Sequence, residues 1–136
     1  MAVVAPTYKR RMRTLLNLLW AVLGGGFILA LEYLAVGALL CLTIVGIPFG
    51  VQCFKLAGLA LFPFGKDFDD GGPKGATNVL FNIVWLLLAG IWICLSHLAL
   101  ALSLAVTLIG LPFAVQHVKL ALLALTPFGV RIRTLP

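Results

Sequence analysis

Two long apolar blocks, about Leu15 to Phe64 and about Asn78 to Phe128, take up most of the chain, and the polar stretch KDFDDGGPKGAT separates them. Each block runs to about 50 residues, whereas one bilayer crossing takes about 20 apolar residues at about 1.5 Å rise per residue. One block therefore suits two helical crossings joined by a tight turn. The predicted spans are 15–36, 38–63, 77–100 and 102–127. The polar stretch holds Asp67, Asp69 and Asp70 with Gly71, Gly72 and Pro73, and reads as a loop by turn chemistry as well as by polarity.

The blocks repeat one another. Asn17, Trp20 and Gly25 match Asn82, Trp85 and Gly90 when the chain is shifted by 65 residues. Further on, Thr43, Gly46, Pro48, Gln52, Lys55, Pro63 and Gly65 match Thr107, Gly110, Pro112, Gln116, Lys119, Pro127 and Gly129 at a shift of 64. A one-residue deletion between the two sets accounts for the change. The fold expected is an all-α integral membrane protein made of a duplicated helical hairpin, with about four membrane-embedded helices. Its divisions are a basic segment at 1–13, a first repeat at 14–65, a polar linker at 66–76, a second repeat at 77–129 and a tail at 130–136.

Composition agrees with a membrane class. Of 136 residues 62% are hydrophobic and only 10% charged, against about a quarter charged in soluble domains. The net charge of +6 lies outside the apolar blocks for the most part. Lys9, Arg10, Arg11 and Arg13 precede the first block, Lys66 and Lys74 lie in the linker, and Arg131 and Arg133 follow the second. Basic flanks mark the cytoplasmic side, so both termini and the linker are expected there, and the N-terminal apolar run is too long for a signal-peptide core. In the competing topology each block is one long kinked crossing followed by an amphipathic helix that starts at Gly46-x-Pro48 or Gly110-x-Pro112. The halves would then be inverted. No basic face with interleaved aromatics points to nucleic acid.

The paired NxxW segments, a glycine-containing apolar stretch, and the twice-written G-[I/L]-P-F-x-x-Q-x-x-K-L-A-x-x-A-L-x-P-F-G resemble the YccF family of bacterial inner-membrane proteins. The similarity runs from about Arg13 to Arg131. It implies a two-copy domain in the inner membrane, and it brings no catalytic residue, substrate or cofactor. Ala114 stands where the first copy has Gly50.

Polar residues inside apolar blocks are the candidate chemistry. Gln52 and Lys55 share a helix face, as do Gln116 and Lys119. Each lysine reads either as an anchor reaching for the headgroups or as part of a polar stripe lining a water-filled interior. Glu32 is the lone acid in an apolar run, and the shift of 65 carries it onto His97. The two are expected to be pseudo-equivalent, forming either a proton-linked pair or a polar plug, unless Glu32 simply sits at the edge of a crossing. His117 points off the Gln–Lys stripe and reads as solvated or interfacial. Trp20 and Trp85 are expected in the aromatic belt at the membrane surface. Asn17 and Asn82 are expected to bond between helices, and Gly24, Gly25 and Gly26 to let helices approach. Gly46, Pro48, Gly110 and Pro112 are expected helix breakers. Cys41, Cys53 and Cys94 read as free, buried thiols, and KDFDDGG lacks the ligand alternation of a calcium loop.

No nucleophile–base pair, phosphate loop or carboxylate pair appears, so an enzyme is not expected, and no cofactor or metal site is read. An oligomeric channel or transport component is the leading expectation, since one small bundle fills its own interior and a pathway needs several subunits. A non-conducting membrane scaffold or accessory subunit is the alternative. The expected partners are the bilayer, further copies of the chain, and anionic headgroups at the basic N-terminus.

Overall fold

In the computed structural model, which describes residues 6–69 and 73–136, the chain is mostly helical. Helix α1 (Thr7–Val22) leads into α2 (Gly26–Leu40), and a turn at 41–46 returns the chain through α3 (Ile47–Leu61). The second repeat has α4 (Ala76–Trp85), a π turn (Leu86–Gly90) and α5 (Ile91–Ala105), then a turn and α6 (Leu111–Leu125). Asp70, Gly71 and Gly72 of the expected loop, and the first five residues of the basic segment, lie outside the described residues.

Each repeat contains a helical hairpin. Gly26 lies against Ala60 and Gly37 against Gly50 and Cys53, so α2 and α3 run antiparallel. The turns fall later than the sequence suggests, because both are fixed by threonine and glycine. Thr43 Oγ1 donates to Leu40 O at 3.2 Å and accepts from Gly46 N at 3.0 Å. Thr107 repeats this with Leu104 O at 3.1 Å and Gly110 N at 3.0 Å. A Cβ on Gly46 or Gly110 would strike the carbonyl of Leu40 or Leu104. Pro48 and Pro112 therefore do not break helices. They sit in the first turn of α3 and α6, where no backbone N–H is needed.

An unpredicted ribbon joins the halves. Strand β1 (Lys66–Asp69) pairs antiparallel with β2 (Arg131–Thr134), Lys66 facing Thr134 and Asp69 facing Arg131. Linker and tail therefore lie together, at the end opposite both hairpin turns. This is the arrangement of two hairpins set the same way round, and not of inverted halves.

The repeats differ at one place. A side chain on Gly26 would strike Trp20 Nε1 and Ala60 O, and one on Gly90 would strike Trp85 Nε1 and Ala124 O. Gly26, and not Gly25, is thus the counterpart of Gly90. From Trp20 to Gly26 the chain has one residue more than from Trp85 to Gly90. The second copy absorbs its residues in a π turn and stays one helix from Ala76 to Ala105, long and apolar enough to cross a bilayer. The first copy breaks instead. Gly25 takes φ +80°, a conformation open to glycine, and α1 and α2 bend by 69°. Four separate helices of crossing length are therefore not seen among the described residues. Helices α3 and α6 have 15 residues each, and among the described residues only the bent α1–α2 pair offers a second element of crossing length.

Candidate functional site: a polar core between the repeats

The hydrophobic core lies between the hairpins and is built twice. Trp20 packs edge-on against Phe64 and Phe113, and Trp85 packs edge-on against Phe128, which meets Phe49. Because Phe113 belongs to the second repeat and Phe49 to the first, each tryptophan helps bind the halves together. Both indoles are fully buried, and donate to Ala60 O at 2.6 Å and Ala124 O at 2.7 Å. They are not belt residues at a surface. The buried indole N–H of each needs a partner, and a helix carbonyl one hairpin arm away supplies it.

Asparagine closes the end of each hairpin. Asn17 donates to Phe64 O at 2.9 Å and accepts from Phe64 N at 2.8 Å. Asn82 does the same with Phe128, at 3.1 and 2.9 Å. The segment after α3 or α6 has lost helical partners for its backbone groups, and the carboxamide replaces both at once.

The corrected alignment re-pairs the ionisable residues. With Gly26 opposite Gly90, the counterpart of Glu32 is Ser96 and that of His97 is Tyr33. The expected equivalence of Glu32 and His97 is therefore wrong by one residue. The structure brings the true counterparts into contact. Ser96 Oγ donates to Glu32 Oε1 at 2.9 Å, and Tyr33 Oη lies 3.4 Å from His97 Nε2. Contact between equivalent residues is what a two-fold axis between repeats produces. Glu32 and Ser96 are half-buried at the side of α2 and α5, whereas Tyr33 and His97 are buried.

His117 is the residue the sequence misplaces most. It is 0% exposed, stacked on Trp20 at 4.3 Å between ring centroids. Its Nδ1 lies 3.1 Å from His97 Nδ1, and its Nε2 meets the carbonyl of Gly24. With both rings neutral, one set of tautomers satisfies every bond. His117 Nε2–H donates to Gly24 O, His97 Nδ1–H donates to His117 Nδ1, and Tyr33 O–H donates to His97 Nε2. The break after α1 explains the histidine, because it takes the Gly24 carbonyl out of the helical pattern in an apolar interior. Such a group must find a donor. In the unbroken second copy no such carbonyl is released, and the counterpart of His117 is Cys53, a buried thiol.

Gln52, Lys55 and Lys119 reach across to the partner repeat. Gln52 Nε2 donates to Pro127 O at 2.8 Å, and Lys55 Nζ donates to Val130 O at 3.1 Å, just before β2. Lys119 lies 5.7 Å over the ring of Phe68 in β1, a cation–π contact. Gln116 is half-buried beside it. Lys55 thus reaches the residue before β2, and Lys119 reaches β1 itself, each across to the strand end of the other repeat.

At the ribbon end, Arg10, Arg13, Thr14 and Lys66 line an open groove beside Phe62 and the tail. Arg13 donates to Leu135 O and Pro136 O. Among the described residues, no three His, Cys, Asp or Glu side chains gather as a metal centre requires. Cys41, Cys53 and Cys94 are free.

Comparison with known proteins gives one consistent family. The model of the YccF inner membrane component domain matches twice, at residues 15–66 and 80–130. The inner membrane proteins YccF of Escherichia coli (strain K12) and Shigella flexneri are each 34% identical over 130 residues, covering 89% of this chain and 87% of theirs. No solved structure matches the chain. With both repeats matched and most of its length aligned, the chain belongs to the YccF family of inner membrane component domains.

Proposed function

We propose that the chain is a non-enzymatic component of the bacterial inner membrane. In this reading it works as an assembly subunit, with two hairpins in lipid and the ribbon end at the cytoplasmic face. The observation that carries the reading is how the interior polar groups are used. Gln52, His97, His117, Tyr33 and the two tryptophans bond to one another or to backbone carbonyls inside the chain, so among the described residues these interior polar groups are spent on internal partners. A filled interior suits a scaffold or accessory role as it stands, whereas a channel needs a path between subunits besides. The groove of Arg10, Arg13 and Lys66 suits the phosphate of an anionic headgroup, with Phe62 beside it for the acyl chains.

The half-buried pair Glu32 and Ser96 favours a second reading, an oligomeric channel in which that pair faces a path between subunits. An acid on the side of an apolar helix is costly unless another protein surface or water covers it. One experiment separates the readings. The purified chain is sized in detergent, then placed in liposomes and assayed for ion flux, beside Glu32→Gln. A scaffold gives an oligomer or complex without flux, which Glu32→Gln weakens in assembly alone. Flux that Glu32→Gln alters would replace the scaffold reading with the channel.

A further inference from the structure

At the ribbon end each repeat serves as a control for the other. In the first, Arg10 and Arg13 of α1 and Lys66 of β1 line the open groove of about 370 Å³, with the exposed ring of Phe62 beside them. In the second, the repeat shift puts Gly75, Asn78 and Val130 at the places of the three cations, and Thr126 at that of Phe62. The fold does not require the charges. Arg13 lays its stem on Gly65, where an added Cβ would meet its Cδ at 2.9 Å, and Asn78 covers Gly129 in the same way at 3.0 Å. A neutral side chain fills that place equally well. Arg13 is also held from its far end. Its Nη1 donates to Leu135 O at 3.1 Å and to Pro136 O at 2.9 Å, while its Nε and Nη2 have no partner among the described residues. The neutral groups of the groove are already spent, Asn17 on Phe64 and the Thr14 hydroxyl on Arg10 O. Among the described residues no acid lines the groove, and Asp67 is paired with Arg133.

We propose that this groove is a fixed site for one anionic phospholipid, bound by its phosphate, and that the second repeat carries no counterpart. The edge of a guanidinium formed by Nε and Nη2 is the fork that matches two phosphate oxygens. Tied at Nη1 and packed on Gly65, Arg13 presents that edge with little freedom left to lose on binding. Arg10 and Lys66 add charge on either side, and Phe62 with Leu135 gives the groove an apolar flank for the start of the acyl chains. That flank, in a chain of an inner-membrane family, commits the phosphate to a lipid and not to a free ion. In the second repeat Lys74 donates to Thr126 O at 3.1 Å, and the other two places hold no cation. The inference rests on the membrane reading above and deepens it, because one built site replaces the diffuse attraction of a basic segment to headgroups.

Lipid titration of the full-length chain in detergent tests it, with bound lipid counted by native mass spectrometry. The probes are phosphatidylglycerol, phosphatidylcholine and inorganic phosphate. One phosphatidylglycerol per chain should be held in preference to phosphatidylcholine, and inorganic phosphate should not displace it. Arg13→Gln and, separately, Lys66→Gln should each raise the lipid needed for half-saturation by about tenfold, the loss of one charge-assisted contact. Lys66→Gln leaves the bonds from Arg13 to the tail in place, so it reports even where Arg13→Gln disturbs the ribbon. Lys9→Gln combined with Arg11→Gln removes two charges of α1 from outside the groove and should change binding little. Equal retention of the two lipids overturns the proposal. So does displacement by inorganic phosphate, which makes the ligand a free ion, or an equal loss in the Lys9 and Arg11 variant, which makes the attraction diffuse. Unchanged binding in both groove variants overturns it as well. A chain recovered in the soluble fraction overturns the membrane location itself, a separate failure read before any lipid is added.

Discussion

At the scale of single residues, the polar core is a set of obligations created by one broken helix. Replacing His117 with leucine leaves the Gly24 carbonyl and the His97 Nδ1–H buried without partners. The expected cost is about 1–3 kcal/mol, read as a lowered midpoint of thermal unfolding in detergent. Trp20→Phe removes the donor to Ala60 O and should cost a similar amount. Trp85→Phe, its counterpart at Ala124 O, should match it; a large difference between the two would deny that the repeats are held alike. The ionisable residues were visible in the sequence, but their pairing was not. The repeat shift changes somewhere between Trp20 and Thr43, and sequence alone places that change only to within a few residues. A one-residue error moved the partner of Glu32 from Ser96 to His97. The sequence makes His117 look solvated or interfacial because the carbonyl that needs it is released by a break the sequence does not announce.

At the scale of elements, glycine sets how closely the hairpin arms approach. In the first copy Gly37 faces Gly50, and a Cβ on Gly50 would meet the carbonyl of Gly37 at 2.7 Å and the thiol of Cys41. In the second copy the counterparts are Ala101 and Ala114. Glycine at position 50 therefore depends on the tightness of its own hairpin, and the alanine of the second repeat reflects a pair that changed together. Gly50→Ala is expected to destabilise the first hairpin by about 1–3 kcal/mol through overpacking, whereas Ala114→Gly should do less; circular dichroism on heating would rank them. The ribbon offers a pH test. The hydrogen bond from Arg133 and the amide of Phe68 hold the Asp67 carboxyl below its ordinary range. A group with a depressed folded pKa stabilises above its unfolded value and loses that contribution as pH falls through the folded one. The protection of the Phe68 amide against hydrogen exchange, relative to its intrinsic rate at each pH, should therefore fall at acid pH, and Asp67→Asn should abolish that dependence. Exposure of the pair keeps the effect small.

At the scale of the whole molecule, duplication is the organising fact, and it was legible before any coordinates. Paired glycines, prolines, glutamines and lysines in one order are a signal that composition does not blur. The helical hairpins followed from block length. The ribbon did not, because KDFD and RIRT are short, charged segments whose strand character arises only once the hairpins bring them side by side. The same closeness explains Gln52 and Lys55, which bond to Pro127 and Val130 where the other repeat ends and the tail begins. Lys55→Ala should loosen β2 and leave α3 intact, so protease cleavage near Arg131 should rise while helical content stays constant.

Pairing of the linker with the tail also sets an order of events during synthesis. The strand at Lys66–Asp69 is made before the second hairpin, and its mate at Arg131–Thr134 is made after it. The first hairpin must therefore wait in the membrane with its polar edge unmatched until the second is in place. Pairing of these two strands, and not formation of either hairpin alone, is the moment at which the halves become tied to one another.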